Sequence, residues 1–340
     1  MSEKTMFKAY AALKAGEQLQ AWQYEPAPLG HDEIEIRITH NGLCHSDIHM
    51  RDNYWGVSSF PLVPGHEVVG KVTQIGAHVS SLKVGDRVGF GWIRNACREC
   101  DHCLQGEENI CRTGYAGLIV GHHGGFADKL RAPADFAYKI PDALDSASAA
   151  PLLCAGITVY SPLRTYIKHP GTKVGVIGIG GLGHLAVKFA KAMGAEVTAF
   201  STSASKEAEA KSFGAHHFQT WEKADDMKKV MGTQELIINT APSELEWETA
   251  FNILGNNGTL CLVGVPATTI TLPVMSLIFG QKTLAGSAVG GRRFMREMLE
   301  FAALHNITPM VETMPLSQIN EAMDKLLANK ARYRIVLTSE

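Results

Sequence analysis

The chain carries no marked excess of charge: 32 Lys and Arg against 34 Asp and Glu give a formal net charge of −2. That balance removes the electrostatic case for binding nucleic acid or an anionic membrane surface. No apolar run approaches the length of a transmembrane helix. Met1-Ser2-Glu3-Lys4-Thr5 has neither the basic start nor the apolar stretch of a signal peptide, so a cytoplasmic protein is expected. In that compartment the seven cysteines are expected to be reduced thiols or metal ligands, not a disulfide framework.

What is present is ample core. At 340 residues and 45% hydrophobic content the chain exceeds one compact domain, and two are expected. From residue 6 to about 150 no long helical stripe occurs; short strands and glycine turns prevail. Ile34-Glu35-Ile36-Arg37-Ile38 alternates with period two and predicts a half-buried strand. Val68 to Val72 and Gly85 to Phe90 have the same strand-and-glycine character.

Two cysteine sets stand out. Cys97, Cys100, Cys103 and Cys111 fall within fifteen residues, a spacing that closes a saturated Cys₄ tetrahedron around a structural zinc. An iron–sulfur cluster uses the same four thiolates, and spacing alone does not separate the two. Four free thiols in a loop are the remaining alternative. Cys44, His66 and Cys154 form a Cys₂His set that leaves one tetrahedral position open, the mark of a catalytic zinc. Among seven Cys and fourteen His such a triple is weak by itself.

After about residue 150 the character changes. Lys173 to Ile177 is an apolar strand followed at once by Gly178-Ile179-Gly180-Gly181-Leu182-Gly183. Leu185, Ala186, Phe189, Ala190 and Met193 then recur at helical spacing, and Gly194 ends the helix. Strand, glycine turn and helix in this order predict a dinucleotide site, with the pyrophosphate against free N–H groups. Strand-like runs at 196–200, 235–239 and 259–263 extend an alternating β/α domain.

The end of the second strand discriminates between cofactors. NAD sites place a carboxylate there. This chain has Ser201, Thr202, Ser203 and Lys206, which would welcome a 2′-phosphate, so NADP(H) is expected. The same serines would also suit a helix N-cap.

Together these motifs resemble the zinc-dependent medium-chain alcohol dehydrogenases, nearest the cinnamyl-alcohol-dehydrogenase branch and its bacterial NADPH-dependent aldehyde reductases. The resemblance also runs through Asn53-Tyr54-Trp55-Gly56, Pro64-Gly65-His66-Glu67 and Ala331-Arg332-Tyr333-Arg334. It implies an α/β plus β architecture. A GroES-like catalytic domain spans 1–152, with a structural-zinc lobe at about 92–115. An inserted Rossmann domain with a doubly wound parallel sheet spans 153–288, and 289–340 returns to the catalytic domain. The resemblance places two zinc ions per chain, the catalytic one in the cleft between domains, and a homodimer formed through edge strands of the Rossmann sheets.

Residue roles follow from the same resemblance. Ser46 matches a proton-relay hydroxyl and His49 the outer histidine of that relay; a surface histidine is the plain alternative for His49. Asp47 is suggested as the carboxylate that orients a zinc-bound histidine, and Glu67 as a group that tunes the metal or ligates it transiently. His45 would lie near the cofactor phosphates or be a buried, hydrogen-bonded histidine. Arg334 would reach the cofactor pyrophosphate, against a solvated strand-end arginine. Gly178, Gly180, Gly181, Leu182 and Gly183 would cradle that pyrophosphate. Trp55 and Trp92 would line an apolar substrate pocket. His122, His123, His216 and His217 read as surface loop residues, and Cys261 as a core thiol.

The expected activity is hydride transfer between NADP(H) and aldehydes or primary alcohols. Reduction is the expected working direction, because cellular NADPH is kept reduced. The substrate is a small molecule; neither nucleic acid nor membrane is an expected partner. A zinc polyol or sugar dehydrogenase and a non-catalytic nucleotide-binding redox sensor are the alternatives.

Overall fold

The run beginning at Ile34 becomes the longest strand of the protein, Glu33–Leu43. It is not half-buried: Ile34, Glu35, Ile36 and Ile38 are all buried and only Arg37 is exposed. Pairing on both edges is the reason. Strand Glu67–Ile75 lies antiparallel along one edge. The other edge is shared by Lys129–Pro133 over its first half and Arg334–Thr338 over its second. Glu35 tolerates burial because Arg131 Nη2 lies 2.8 Å from its carboxylate and Thr73 donates to it at 3.0 Å.

The computed structural model describes residues 5–221, 224–241, 245–264, 269–272 and 274–339. The chain divides into two compact units, Met1–Cys154 with Gly291–Glu340, and Ala155–Gly290. In the first unit a seven-stranded sheet carries the core. Its order is Val311–Pro315, Arg334–Thr338, Glu33–Leu43, Glu67–Ile75, Arg87–Phe90 and Tyr138–Lys139, with Lys129–Pro133 beside Glu33–Leu43. Ile34, Ile36, Val68, Val72, Phe90 and Phe126 pack together behind it. The last strand of the chain therefore sits inside the first unit's sheet.

The second unit is a six-stranded parallel sheet ordered His217–Thr220, Glu196–Ser201, Lys173–Ile177, Gln234–Asn239, Leu254–Leu262 and Thr283–Gly286. Numbered along the chain this is 3-2-1-4-5-6, the doubly wound order whose switch point lies beside the first strand. Helix Gly183–Ala192 buries Leu185, Ala186, Phe189 and Ala190, each large apolar group contributing about 1.5–3 kcal/mol. Gly194, at φ 84°, terminates it.

One expectation fails here. Ser146–Tyr166 is a helical run of 21 residues with mean hydropathy 1.2, long and apolar enough to cross a membrane by composition. Its most apolar 18-residue window is 89% buried inside the protein, so it is a core helix. Pro151 and Pro162 interrupt its pattern in the sequence.

Candidate active site

Cys44 directly precedes the short helix His45–Arg51, and the carboxylate of Asp47 turns back to accept its N–H at 3.0 Å. The same carboxylate accepts the Gly65 N–H at 2.9 Å and the Nδ1–H of His66 at 2.9 Å. Asp47 is wholly buried, so these three bonds satisfy a charge that would otherwise be costly. They also lock the helix start to the loop that carries His66. With Nδ1 donating to a carboxylate, Nε2 is the nitrogen left facing Cys154, whose Sγ is 3.3 Å away.

Cys154 reaches that point from a π-helical turn, Leu152–Gly156, inside the long helix. Such wide turns commonly mark functional positions. Pro151, which lacks the N–H that a regular turn uses, stands just before it.

Ligand atoms of Cys44, His66, Glu67 and Cys154 all lie within 4.8 Å of one another, and all four residues are buried. A hydrogen bond from Cys154, opposed by burial and assisted by His66, holds the Cys44 thiol well below its ordinary range. Burial opposes charge on His66, but Asp47 and Cys44 raise it well above the usual imidazole range. Glu67 pairs with Arg334 through Oε1, while its Oε2 is buried without a partner. Burial, outweighing the attraction of Arg334, pushes this carboxyl up to about 7. Two thiols, an imidazole nitrogen and a carboxylate are the donor set of a zinc site. The residues fit the metal.

Around this group the aromatic side chains form a wall. The Trp92 ring meets His66 edge-on at 5.1 Å and Trp55 at 6.0 Å, and its Nε1–H donates to Tyr115 at 3.2 Å. Met50, Leu62 and Ile119 back the two tryptophans. Ser46 Oγ lies 3.6 Å from Cys44 Sγ. His49 is half-buried, its ring tilted against Tyr54 at 4.8 Å and Trp55 at 5.2 Å, so it is no bare surface histidine.

The four lobe thiols also converge within 4.8 Å of one another. Cys97 and Cys103 sulfurs are 3.7 Å apart, close to the ~3.8 Å edge of a tetrahedron with zinc–sulfur bonds of about 2.3 Å. A multi-iron cluster puts irons and sulfides between its thiolates and needs more room. The lobe is braced by buried Glu108, which accepts from the N–H of Arg292 at 2.7 Å and from its Nε at 2.6 Å.

In the second unit the glycine turn has the features a dinucleotide needs. Gly178 has φ 88°, and a Cβ on Gly183 would collide with the Gly178 carbonyl. A Cβ on Gly180 would meet nothing within 4 Å, so its backbone is open to a ligand. Thr240 Oγ1, unremarked in the sequence, donates toward the carbonyls of Ile177 at 3.0 Å and Gly178 at 2.8 Å and fixes the turn. Gly181 and Leu182 complete the loop ahead of the helix. Ser201 ends its strand half-buried, Thr202 and Ser203 are exposed, and Lys206 lies 3.8 Å from Glu209.

Several readings are narrowed or corrected. Arg334, expected at the cofactor pyrophosphate, has a side chain 5% exposed and engaged with Glu67 beside the candidate metal ligands, which removes its solvated strand-end alternative. His45 is exposed, which excludes a buried, hydrogen-bonded role. His123 is no surface residue; its ring packs 5.1 Å from Trp22 and 4.6 Å from Tyr24. His122, His216 and His217 are exposed, and Cys261 is fully buried, its thiol pushed up to about 12 by burial.

Comparison with known proteins agrees with this arrangement. The alcohol dehydrogenase GroES-like domain family matches residues 30–142, and the zinc-binding dehydrogenase family matches residues 181–303. The chain is 45% identical to aldehyde reductase AdhA of Synechocystis sp., covering 98% of this chain and 99% of that one. It is 44% identical to mannitol dehydrogenase of Petroselinum crispum, covering 94% and 97%. The crystal structure of CAD from Helicobacter pylori complexed with NADP(H) matches with a TM-score of 0.91 at 33% identity, covering 99% of both chains. With both family models matched in order and relatives aligned along nearly their whole length, the chain belongs to the zinc-dependent medium-chain alcohol dehydrogenases, in the cinnamyl-alcohol-dehydrogenase-like branch.

Proposed function

We propose that this oxidoreductase reduces apolar aldehydes with NADPH, using a catalytic zinc held by Cys44, His66 and Cys154. The observation that carries the reading is the buried convergence of those three residues around an imidazole tethered by Asp47. Zinc there supplies Lewis-acid polarisation of a carbonyl oxygen, and NADPH supplies the hydride.

The chain's own groups do the rest. Asp47 fixes the His66 tautomer and orientation. Ser46 delivers a proton to the product oxygen, and His49, at i+3 on the same helix, exchanges protons with solvent. Trp55 and Trp92 exclude water and favour an apolar substrate body. Glu67 tunes the metal, with Arg334 offsetting its charge. Cys97, Cys100, Cys103 and Cys111 hold a structural zinc that orders their lobe.

Cofactor choice rests on Ser201, Thr202, Ser203 and Lys206, hydroxyls and an ammonium where an NAD site has a carboxylate. The Helicobacter pylori relative bound to NADP(H) supports the same choice. Gly178, Gly180, Gly181, Leu182 and Gly183 bind its pyrophosphate. We assign the protein to the cytoplasm as a homodimer. Support for the dimer comes from Val274, Met275, Ile278 and Phe279, each more than half exposed, near edge strand Thr283–Gly286. Light scattering that gives a monomer mass would remove it.

The test is a set of initial rates with NADPH and NADH on zinc-replete protein, across linear, aromatic and sugar aldehydes. The expected result is strong NADPH preference with apolar aldehydes. The mannitol dehydrogenase relative favours a second reading, a polyol dehydrogenase. NADH preference, or turnover confined to sugars, would establish that one instead.

A further inference from the structure

Gly42 lies near the end of strand Glu33–Leu43, opposite Glu67 on one side and Val336 on the other. Its φ is outside the left-handed region, so the backbone does not require glycine there. Glycine inside a strand weakens it and commonly marks a close approach by another group. Here the approaching group is a side chain. A Cβ on Gly42 would overlap Glu67 Oε2 and lie 2.9 Å from its Cδ and 3.0 Å from its Cβ.

A carboxylate on a flexible stem can usually swing away from such a clash. This one is confined: Glu67 is wholly buried, its Oε1 is bound to Arg334, its Oε2 is buried without a partner, and one of its carboxylate oxygens lies within 4.8 Å of the ligand atoms of Cys44, His66 and Cys154. Moving Oε2 off Gly42 either breaks the Arg334 pair or drives the carboxylate onto Cys44, His66 and Cys154. We propose that Gly42 is a positioning residue of the active site. Its missing side chain is the space in which Glu67 lays its carboxylate between Arg334 and the metal ligands.

The proposal takes from the reading above only that Cys44, His66 and Cys154 hold the metal. Its test is a double-mutant cycle of Gly42→Ala, Glu67→Ala and both together. The readings are urea midpoint of the metal-free protein, the visible spectrum of cobalt placed at the catalytic site, and kcat against KM.

With Glu67 present, Gly42→Ala should lower the midpoint and shift the cobalt spectrum. It should also reduce kcat about 10–100-fold, as a displacement of about 1 Å in a site does, with KM little changed. In the Glu67→Ala protein only the 3.0 Å contact with the residue-67 Cβ remains, so the same substitution should lower the midpoint slightly and leave the spectrum and kcat nearly where they were, a strongly non-additive cycle. Equal damage in both backgrounds would make Gly42 a general packing residue and overturn the proposal. So would a Gly42→Ala protein with wild-type spectrum and kcat. Should Gly42→Ala alone fail to fold, a double variant that folds supports the coupling and one that fails refutes it. If the metal proved to sit elsewhere, the cobalt spectrum would not respond, while the urea cycle would still read the Gly42–Glu67 contact.

Discussion

Asp47 accepts the Nδ1–H of His66 at 2.9 Å, and neither side chain reaches solvent. Replacing Asp47 with Asn removes the charge and turns an NH₂ toward one of three N–H donors. Zinc affinity at the Cys44 site should fall about 10–100-fold, as it does when the hydrogen-bond partner of a ligating histidine is lost. Chelator competition measures this directly. Unchanged affinity would separate Asp47 from the metal.

The lobe offers a second measurement. Cys103 is 2% exposed and its lobe has little core of its own. Cys103→Ser removes a proposed zinc ligand from a site that, holding metal, would supply on the order of 10 kcal/mol of ordering free energy. Amide exchange across residues 93–117 should accelerate strongly while the parallel sheet of the second unit keeps its protection. Protection that survives in both would mean the lobe folds without metal.

Cofactor preference should respond to one residue. Ser201→Asp puts a carboxylate at the end of strand Glu196–Ser201. A 2′-phosphate then loses a charge-assisted hydrogen bond of about 1.5–3 kcal/mol, so the NADPH-to-NADH ratio of kcat/KM should drop by about 10–100-fold. A ratio that does not move would locate phosphate recognition elsewhere.

Stability in acid should reflect Asp145, which caps helix Ser146–Pro151 by accepting the Ser148 N–H at 2.8 Å and its hydroxyl at 2.7 Å. Burial works against the charge, but those bonds and the Ala147 amide hold the carboxyl below the usual aspartate range. A lowered folded value means the stabilisation is fully present above the unfolded value of about 3.9. It is lost as pH falls through the folded one. Asp145→Ala should therefore cost about 0.5–1 kcal/mol at neutral pH, the low end because the residue is exposed. The difference between the two proteins should vanish in acid. Urea titrations at several pH values check it.

Local signals were legible where chemistry sits in short stretches. Lys173 to Gly194 contains its own strand, turn, helix and stop, and the four lobe cysteines are neighbours in sequence. Environment set by distant segments was not legible. Ile34 to Ile38 alternates like a half-buried strand, yet Arg131 and Thr73 make the burial of Glu35 possible. Arg334 looks like a chain-end cation, and only the pairing of the last strand with Glu33–Leu43 brings it to Glu67. His123 had no visible partners because Trp22 and Tyr24 lie on a strand far earlier in the chain.

The insertion of Ala155–Gly290 into the first unit has a consequence for synthesis. All three expected ligands of the catalytic metal precede the parallel sheet in the sequence, so they leave the ribosome ahead of every one of its strands. The arginine that neutralises Glu67, and the strand that completes that edge of the first sheet, are made only after the whole second unit. The second unit has all six of its strands in one continuous segment and can fold while the first still waits. A nascent chain stalled before residue 334 would thus present metal-binding thiols beside an open sheet edge and an unneutralised buried acid. Emergence of Arg334–Thr338 is the event that closes the active site.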